Sequence, residues 1–270
     1  MGVPPVIIPR RLNCKPDMER YSHLQIIPVP LVDEIRSGDS LLGKLLRAVS
    51  QPKRKLKAGD ILVVKHKIIS KAEGQFVDLD TIQPSASSRA WARRYKLDAR
   101  VIELALQQSR KVIRHQRGVL ITETRHGLIC ANSGVDVSNV DGGNQAVLLP
   151  EDPDRSAAQI HRGLKKHLRL SIPVIISDSF GRPWREGLTE VAIGVAGMKA
   201  LHDYRGRRDA YGYPLRASVE AVADELACAA GLVCGKLARI PVCIVRGFRY
   251  RRARGSAREL IRPAAVDLFR

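Results

Sequence analysis

The sequence predicts an α+β fold of mixed, largely antiparallel sheets with packed helices. Strand-length apolar runs occur in hairpin-like pairs, and helical stretches fall between them without a regular strand-helix alternation, which argues against a purely parallel doubly wound sheet. The 270 residues, 44% hydrophobic and 27% charged, supply enough apolar surface for a real core.

Residues 1–22 read as a basic extension and 23–270 as one unit without an internal boundary. Leu24–Pro30 reads as a short strand ended by prolines. Asp39 is the expected cap of a short helix at Ser40–Ser50. The turn Lys57-Ala58-Gly59-Asp60 leads into Ile61-Leu62-Val63-Val64, a continuous apolar run of strand length. Residues 86–114 carry apolar positions at helical spacing, among them Ala90, Val101, Leu104 and Val112, with a mostly basic charged face. Val119–Thr122 and Leu128–Cys130 read as strands joined at Arg125-His126-Gly127. After the polar, glycine-punctuated stretch Asn132–Gly143, a helix is expected over about 155–169 and a strand at Pro173–Ile176. Val191–Gly197 is a small-residue apolar stretch, Ala217–Gly235 has helical composition with Gly235 as its stop, and Pro241–Val245 is the last strand.

A net charge of +19 favours anionic partners, whether nucleic acid, phosphorylated metabolites or acidic surfaces. The chain has no recognised nucleic-acid motif, and aromatics at 4% offer little stacking surface, so a nucleic-acid-binding protein stands as the alternative to an enzyme. Cys14, Cys130, Cys228, Cys234 and Cys243 form no close Cys-x-x-Cys pair and no zinc-like spacing with histidines, as expected of reduced, buried thiols in a cytoplasmic protein. No run approaches the ~18–20 apolar residues of a membrane span. Met1–Arg20 has the wrong order for a secretory signal. Neither a G-x-x-x-x-G-K-[ST] nor a G-x-G-x-x-G run occurs, which leaves a P-loop or Rossmann site without support.

The run Ile175-Ile176-Ser177-Asp178-Ser179-Phe180-Gly181-Arg182 delivers an acid and a hydroxyl from an apolar strand into a glycine- and arginine-rich turn. Hard divalent cations take oxygen ligands, so Asp178 beside Ser179 suits magnesium or manganese, with Arg182 and Arg185 available for phosphate. An ordinary strand end with an Asp-Ser turn explains the same pattern. A second acid-bearing loop, Asn132 to Val140, offers Asp136 and Asn139 to the same kind of ion, or is a plain surface turn. Ser70-Lys71-Ala72-Glu73-Gly74 could bring Lys71 to a phosphate, or leave it solvated. Glu220 and Asp224, four apart in a helical stretch, are expected on one helix face.

These segments together resemble the coenzyme F420-0:L-glutamate ligase family, the gamma-glutamyl ligases of F420 biosynthesis. The matching words are GDILVV (59–64), ISKAEG (69–74), NSGVDVSNV (132–140), LLPEDPDRSA (148–157), SDSFGRPWREGLTEVAIGVAG (177–197), RDAYGYPL (208–215), VEAVADELACAAGLVCGK (219–236), IPVCIVRG (240–247) and GSARELIRPAAVDLFR (255–270). The resemblance implies a cytoplasmic homodimer that uses GTP with Mg2+ or Mn2+ to add L-glutamate to the terminal carboxylate of F420-0 through an acyl phosphate. By position it implies metal ligation by Asp136, Asp178 and Ser179, and GTP contacts from His66, Lys67, Lys71 and Asn139. The chain departs from the pattern in Lys236-Leu237-Ala238-Arg239 before Ile240-Pro241, where related chains usually have glycine, and in the basic residues 1–22. No flavin-binding second domain of the kind fused in some relatives is expected, and a ligase for a different phosphorylated acid remains an alternative.

Overall fold

The computed structural model describes residues 23–137 and 144–268. In chain order these form β1 (Gln25–Val29), α1 (Leu41–Val49), β2 (Ile61–Lys65), α2 (His66–Ala72), β3 (Phe76–Asp78), α3 (Ala86–Tyr95), α4 (Ala99–Gln107), β4 (Ser109–Gln116) and β5 (Val119–Thr124). There follow β6 (Ile129–Ala131), β7 (Gln145–Val147), α5 (Pro153–Leu168), β8 (Val174–Arg182), β9 (Arg185–Ala196), β10 (His202–Asp203), β11 (Val219–Glu220), α6 (Val222–Cys234) and β12 (Val242–Arg246).

The central sheet has five strands in the order β1-β12-β2-β8-β9. Its pairs are antiparallel except β2 with β8, which run parallel with Leu62 opposite Val174 and Lys65 opposite Ser177. Both faces are covered, which explains why the central strands read as unbroken apolar runs instead of alternating ones. Leu62, Val64, Val174, Ile176, Val242 and Ile244 pack toward α1, α2 and α5. Ile61, Val63, Ile175, Cys243 and Val245 pack on the other side toward α6. This period-two division decides where every polar residue at the strand ends points. A separate antiparallel meander, β4-β5-β6, and the α3–α4 pair enclose a smaller cluster around Leu79, Leu104, Ala105, Leu120 and Ala146.

The second half of the free edge of β9 is closed by side chains and by the C-terminal segment. Asp154, in the first turn of α5, accepts from the amides of Val195 and Ala257, each at 2.8 Å. Gly197 and Lys199 donate their amides to the carbonyls of Arg254 and Arg251. A register shift on β9 pairs Ile176 with Gly194 but Ser177 with Ala192, and Asp224 accepts from the Ala192 amide at 2.8 Å. From Ala192 onward the edge is so occupied that it is no longer a template for another strand.

Several expectations change. Ser40, not Asp39, caps α1, its hydroxyl accepting from the Gly43 amide, while Asp39 accepts from the Arg36 amide and pairs with Lys44. The helical stretch 86–114 breaks at Lys96, which is left-handed (φ 54°), restarts with Asp98 as cap, and ends at Gln107 before a strand. Glu220 lies in β11 opposite His202 instead of on α6 with Asp224, so that acidic helix face does not exist. The strand expected at Pro173–Ile176 runs on to Arg182, which carries Asp178 and Ser179 within the sheet instead of in a turn.

Burial pushes the Asp224 carboxyl above its ordinary value, and the Ala192 amide offsets only part of this. Its folded-state pKa therefore lies above the unfolded one, so stability falls as pH rises through that interval and the cost is fully present at neutral pH. Asn retains an acceptor for the Ala192 amide. Asp224→Asn is expected to raise the urea midpoint at neutral pH, with the difference vanishing once the carboxyl is protonated in both states, below the ordinary value of 3.8. A variant less stable than the wild type at neutral pH would contradict this.

Candidate active site at the ends of the parallel strands

Two parallel neighbours release the chain at the same edge of a sheet. Lys65 and Ser177 are paired there, so the next residues, His66 and Asp178, emerge side by side. His66 begins α2 and is buried, with Nε2 3.2 Å from Asp178 Oδ1 and Nδ1 3.4 Å from Ser70 Oγ. Burial acts most strongly on the Asp178 carboxyl and pushes it up. The charge and hydrogen bond of His66 and the Ser179 amide, 2.7 Å from Oδ1, together carry it below the usual carboxylate range.

Asp136 is near enough for its charge to oppose ionisation of Asp178. It reaches that position from the strained turn after β6, where Asn132 (φ 51°), Ser133 (φ 54°) and Gly134 (φ 72°) are all left-handed. Ser133 fixes the turn: its hydroxyl donates to the Ala105 carbonyl at 2.7 Å and its amide donates to Thr122 Oγ1 at 3.0 Å. The backbone of Asp136 is latched to Val147 of β7 in both directions. Lys67 Nζ lies 2.6 Å from Asp136 Oδ2. Cys130, on β6, feels burial first and Asp178 second, and its thiol is pushed up to about 12.

Of the residues expected at the site, His66, Lys67, Asp136 and Asp178 thus converge. Lys71 lies one helical turn beyond Lys67 and pairs with Glu34 at 3.1 Å, in the segment after β1. That segment also lines a groove of 480 Å³ with Lys44, Arg47 and Arg54 on its wall. Glu73 accepts from the Ser156 hydroxyl and ties α2 to α5. Asn139 lies outside the described residues.

Ser179 points away from this group, to the α6 side of the sheet. Its hydroxyl donates to Glu190 Oε1 at 2.8 Å and receives Lys236 Nζ at 2.7 Å, and Lys65 also pairs with Glu190 Oε1. Gly231 of α6 makes room for Glu190, since a Cβ there would run into Glu190 Cγ. Lys65, Glu190 and Lys236 were missed by sequence reasoning. The signal for the first was the parallel register, which no single segment contains.

Among the described residues no group of three or more His, Cys, Asp or Glu side chains forms a ready-made metal cage. Asp136 and Asp178 still fit a hard divalent cation: they are two neighbouring oxygen donors, each now answered by a cationic or proton-donating side chain. Magnesium in particular is often held by one or two carboxylates, with substrate phosphates completing the shell.

The site is therefore of the class formed in mixed α+β proteins where polar loops meet beyond the carboxyl ends of adjacent parallel strands. The chain belongs to the F420-0:Gamma-glutamyl ligase family, whose sequence profile matches residues 31–247. It is 41% identical over 252 residues to the coenzyme F420:L-glutamate ligase of Methanopyrus kandleri, covering 92% of this chain and 98% of the relative. It is 41% identical over 250 residues to the protein of that name from Methanothermobacter thermautotrophicus, with 92% and 99% covered. With that from Methanocaldococcus jannaschii it shares 42% identity over 213 residues, 78% of this chain and 85% of the relative.

Gly134 combines φ +72° with Leu149 side-chain atoms 2.8–2.9 Å from any added Cβ. Gly134→Ala is expected to destabilise the fold by about 1–3 kcal/mol and to disturb Asp136 more than Asp178, which stands on the other element. Chemical denaturation and amide exchange around Val147 check this; an unchanged midpoint would contradict it.

Proposed function

We propose that this chain is a GTP-dependent, metal-assisted ligase that joins L-glutamate to the terminal carboxylate of coenzyme F420-0. The observation that carries the reading is the pairing of Asp136 with Asp178, two carboxylates from separate elements beside basic side chains. The family supports the substrates, because relatives over nearly the whole chain are named for ligating L-glutamate to coenzyme F420.

A carboxylate is a poor acyl donor because its oxygen does not leave. In the proposed reaction an F420-0 carboxylate oxygen attacks the γ-phosphorus of GTP; a C–O–P linkage forms and the bond to the GDP oxygen breaks. The glutamate amine then attacks the acyl carbon, loses a proton, and phosphate departs with the C–O electron pair. Amide, GDP and phosphate result.

Asp136 and Asp178 are the residues that would hold Mg2+ or Mn2+, which when bound neutralises phosphate oxygens and withdraws charge from the transferred group. His66 fixes Asp178 in its ionised form and in one orientation. Lys67 and Lys71, a turn apart on α2, offer ammonium groups to the phosphates. Asn139 is assigned to GTP by family position alone. In the groove formed with residues 30–33, Arg47 and Arg54 outweigh Asp33, while Lys44 is paired with Asp39, and these two arginines are available to an anionic part of the nucleotide.

Purified protein with Mn2+, GTP, F420-0 and L-glutamate is expected to release GDP only when both acid and amine are present, with a glutamyl-extended product by mass spectrometry. Hydroxylamine in place of glutamate should trap the activated acid as a hydroxamate. Asp178→Asn and Asp136→Asn are each expected to lower turnover by about 10²–10³-fold without loss of the folded far-UV spectrum. Glutamate addition with no nucleotide consumed, or full activity in both variants, would refute the reading.

A further inference from the structure

The polar group around Ser179 is separate from the Asp136–Asp178 pair and has the opposite charge balance. Alternation along β8 sends Asp178 to one face of the sheet and Ser177 and Ser179 to the other. On that second face Ser179 Oγ receives Lys236 Nζ at 2.7 Å and donates to Glu190 Oε1 at 2.8 Å, and Lys65 pairs with the same carboxylate oxygen. One carboxylate thus meets the Lys65 ammonium directly and the Lys236 ammonium through the Ser179 hydroxyl. Glu190 Oε2 and Ser177 Oγ, both buried, have no hydrogen-bond partner among the described residues, so the group keeps oxygen donors that its lysines leave unused.

We propose that Lys236 supplies, as a fixed ammonium, the positive charge that a second divalent cation would bring to Ser179, so that the chain binds one metal ion, at Asp136 and Asp178, and none at Ser179. This rests on the reading of Asp136 and Asp178 as metal carboxylates, and it removes Ser179 from the ligands that the family resemblance implies. A divalent ion on Ser179 Oγ would have to share that oxygen with an ammonium already in contact with it, beside a second ammonium on Glu190. Lys236 itself is exposed, but Ser179 is partly buried and Glu190 buried, and like charges brought onto one oxygen there repel.

Lys236→Gln exchanges the ammonium for a carboxamide. The carbonyl oxygen of that amide, Ser179 Oγ and Glu190 would then form a set of oxygen donors of the kind hard cations take. The test counts Mn2+ bound per chain in the full-length protein, by loss of the free-ion paramagnetic resonance signal on titration with Mn2+ alone. The expected stoichiometry is one for the wild type, one for Ser179→Ala, one for Lys236→Arg and two for Lys236→Gln. The second ion of Lys236→Gln should disappear when Ser179→Ala is added.

Two ions in the wild type, one of them lost in Ser179→Ala, would overturn the proposal, as would a single ion in a folded Lys236→Gln. If Lys236→Gln fails to fold, Lys236→Met with the Ser179→Ala comparison in the wild type still decides it: the former should keep one ion, and the latter should lose none. The Asp178→Asn variant separates the two readings. If it keeps its full Mn2+ count, the metal assignment of the proposed function fails, while the Ser179 and Lys236 variants continue to judge this inference.

Discussion

The parallel pairing of β2 with β8 is the constraint on which the rest depends. An antiparallel pair sends its two chains out at opposite ends, and the other pairs of the central sheet do so. Only parallel neighbours bring two carboxyl ends together, and here the ends are Lys65-His66-Lys67 and Ser177-Asp178-Ser179. The register is held by Leu62, Val63 and Val64 against Val174, Ile175 and Ile176, all buried. A slip of one residue would turn every one of these side chains to the wrong face. The positions of His66 and Asp178 are therefore set by the core and not by their own contact.

The same alternation divides the strand ends into two chemically different sides. His66 and Asp178 share one face with Asp136 and Lys67 beyond it; Lys65, Ser177, Ser179 and Glu190 share the other, under α6. Gly231 is where helix and strand come close enough to leave Glu190 its space. The adjacent pair Asp178-Ser179, which in sequence looks like one bidentate motif, is in the folded chain two residues serving two neighbourhoods. Besides the peptide bond, the Ser179 amide donating to Asp178 Oδ1 links them.

Much of this was legible in the sequence, and the exceptions share a cause. The α+β class, the apolar strands at 61–64 and 241–245, the hairpin at Arg125–Gly127 and the Gly235 stop are local patterns, and each is found. Asp136 and Asp178 were legible in their own loops, His66 and Lys67 from family resemblance alone, and geometry brings the four together. What failed depended on partners distant in sequence. β3 and β7, three residues each, are strands only because they pair with each other, and residues 109–114 leave the helical pattern because β5 is available to them. Glu190 reads as one acid in an apolar run until Ser179 is opposite it. Lys236 was marked as lying in a departing loop, but nothing local tied it to Ser179.

The two carboxylates of the site are not equivalent, and this bears on how a cation could enter. Lys67 and Asp136 keep 26% and 35% of their side chains exposed, and an ion pair so open to water contributes about 0–1 kcal/mol. Breaking that one contact costs correspondingly little. His66 is at 4% and Asp178 at 17%, where removing one partner strands a charge at a cost of about 3–5 kcal/mol. The contact of Lys67 with Asp136 is therefore the one that opens first, while His66 stays on Asp178. Asp178 Oδ1 is already committed to His66 and the Ser179 amide, which leaves Oδ2 as the oxygen to turn toward the ion. Lys67, once released, would remain on α2 one turn from Lys71, so the helix would keep its positive charge beside the two carboxylates.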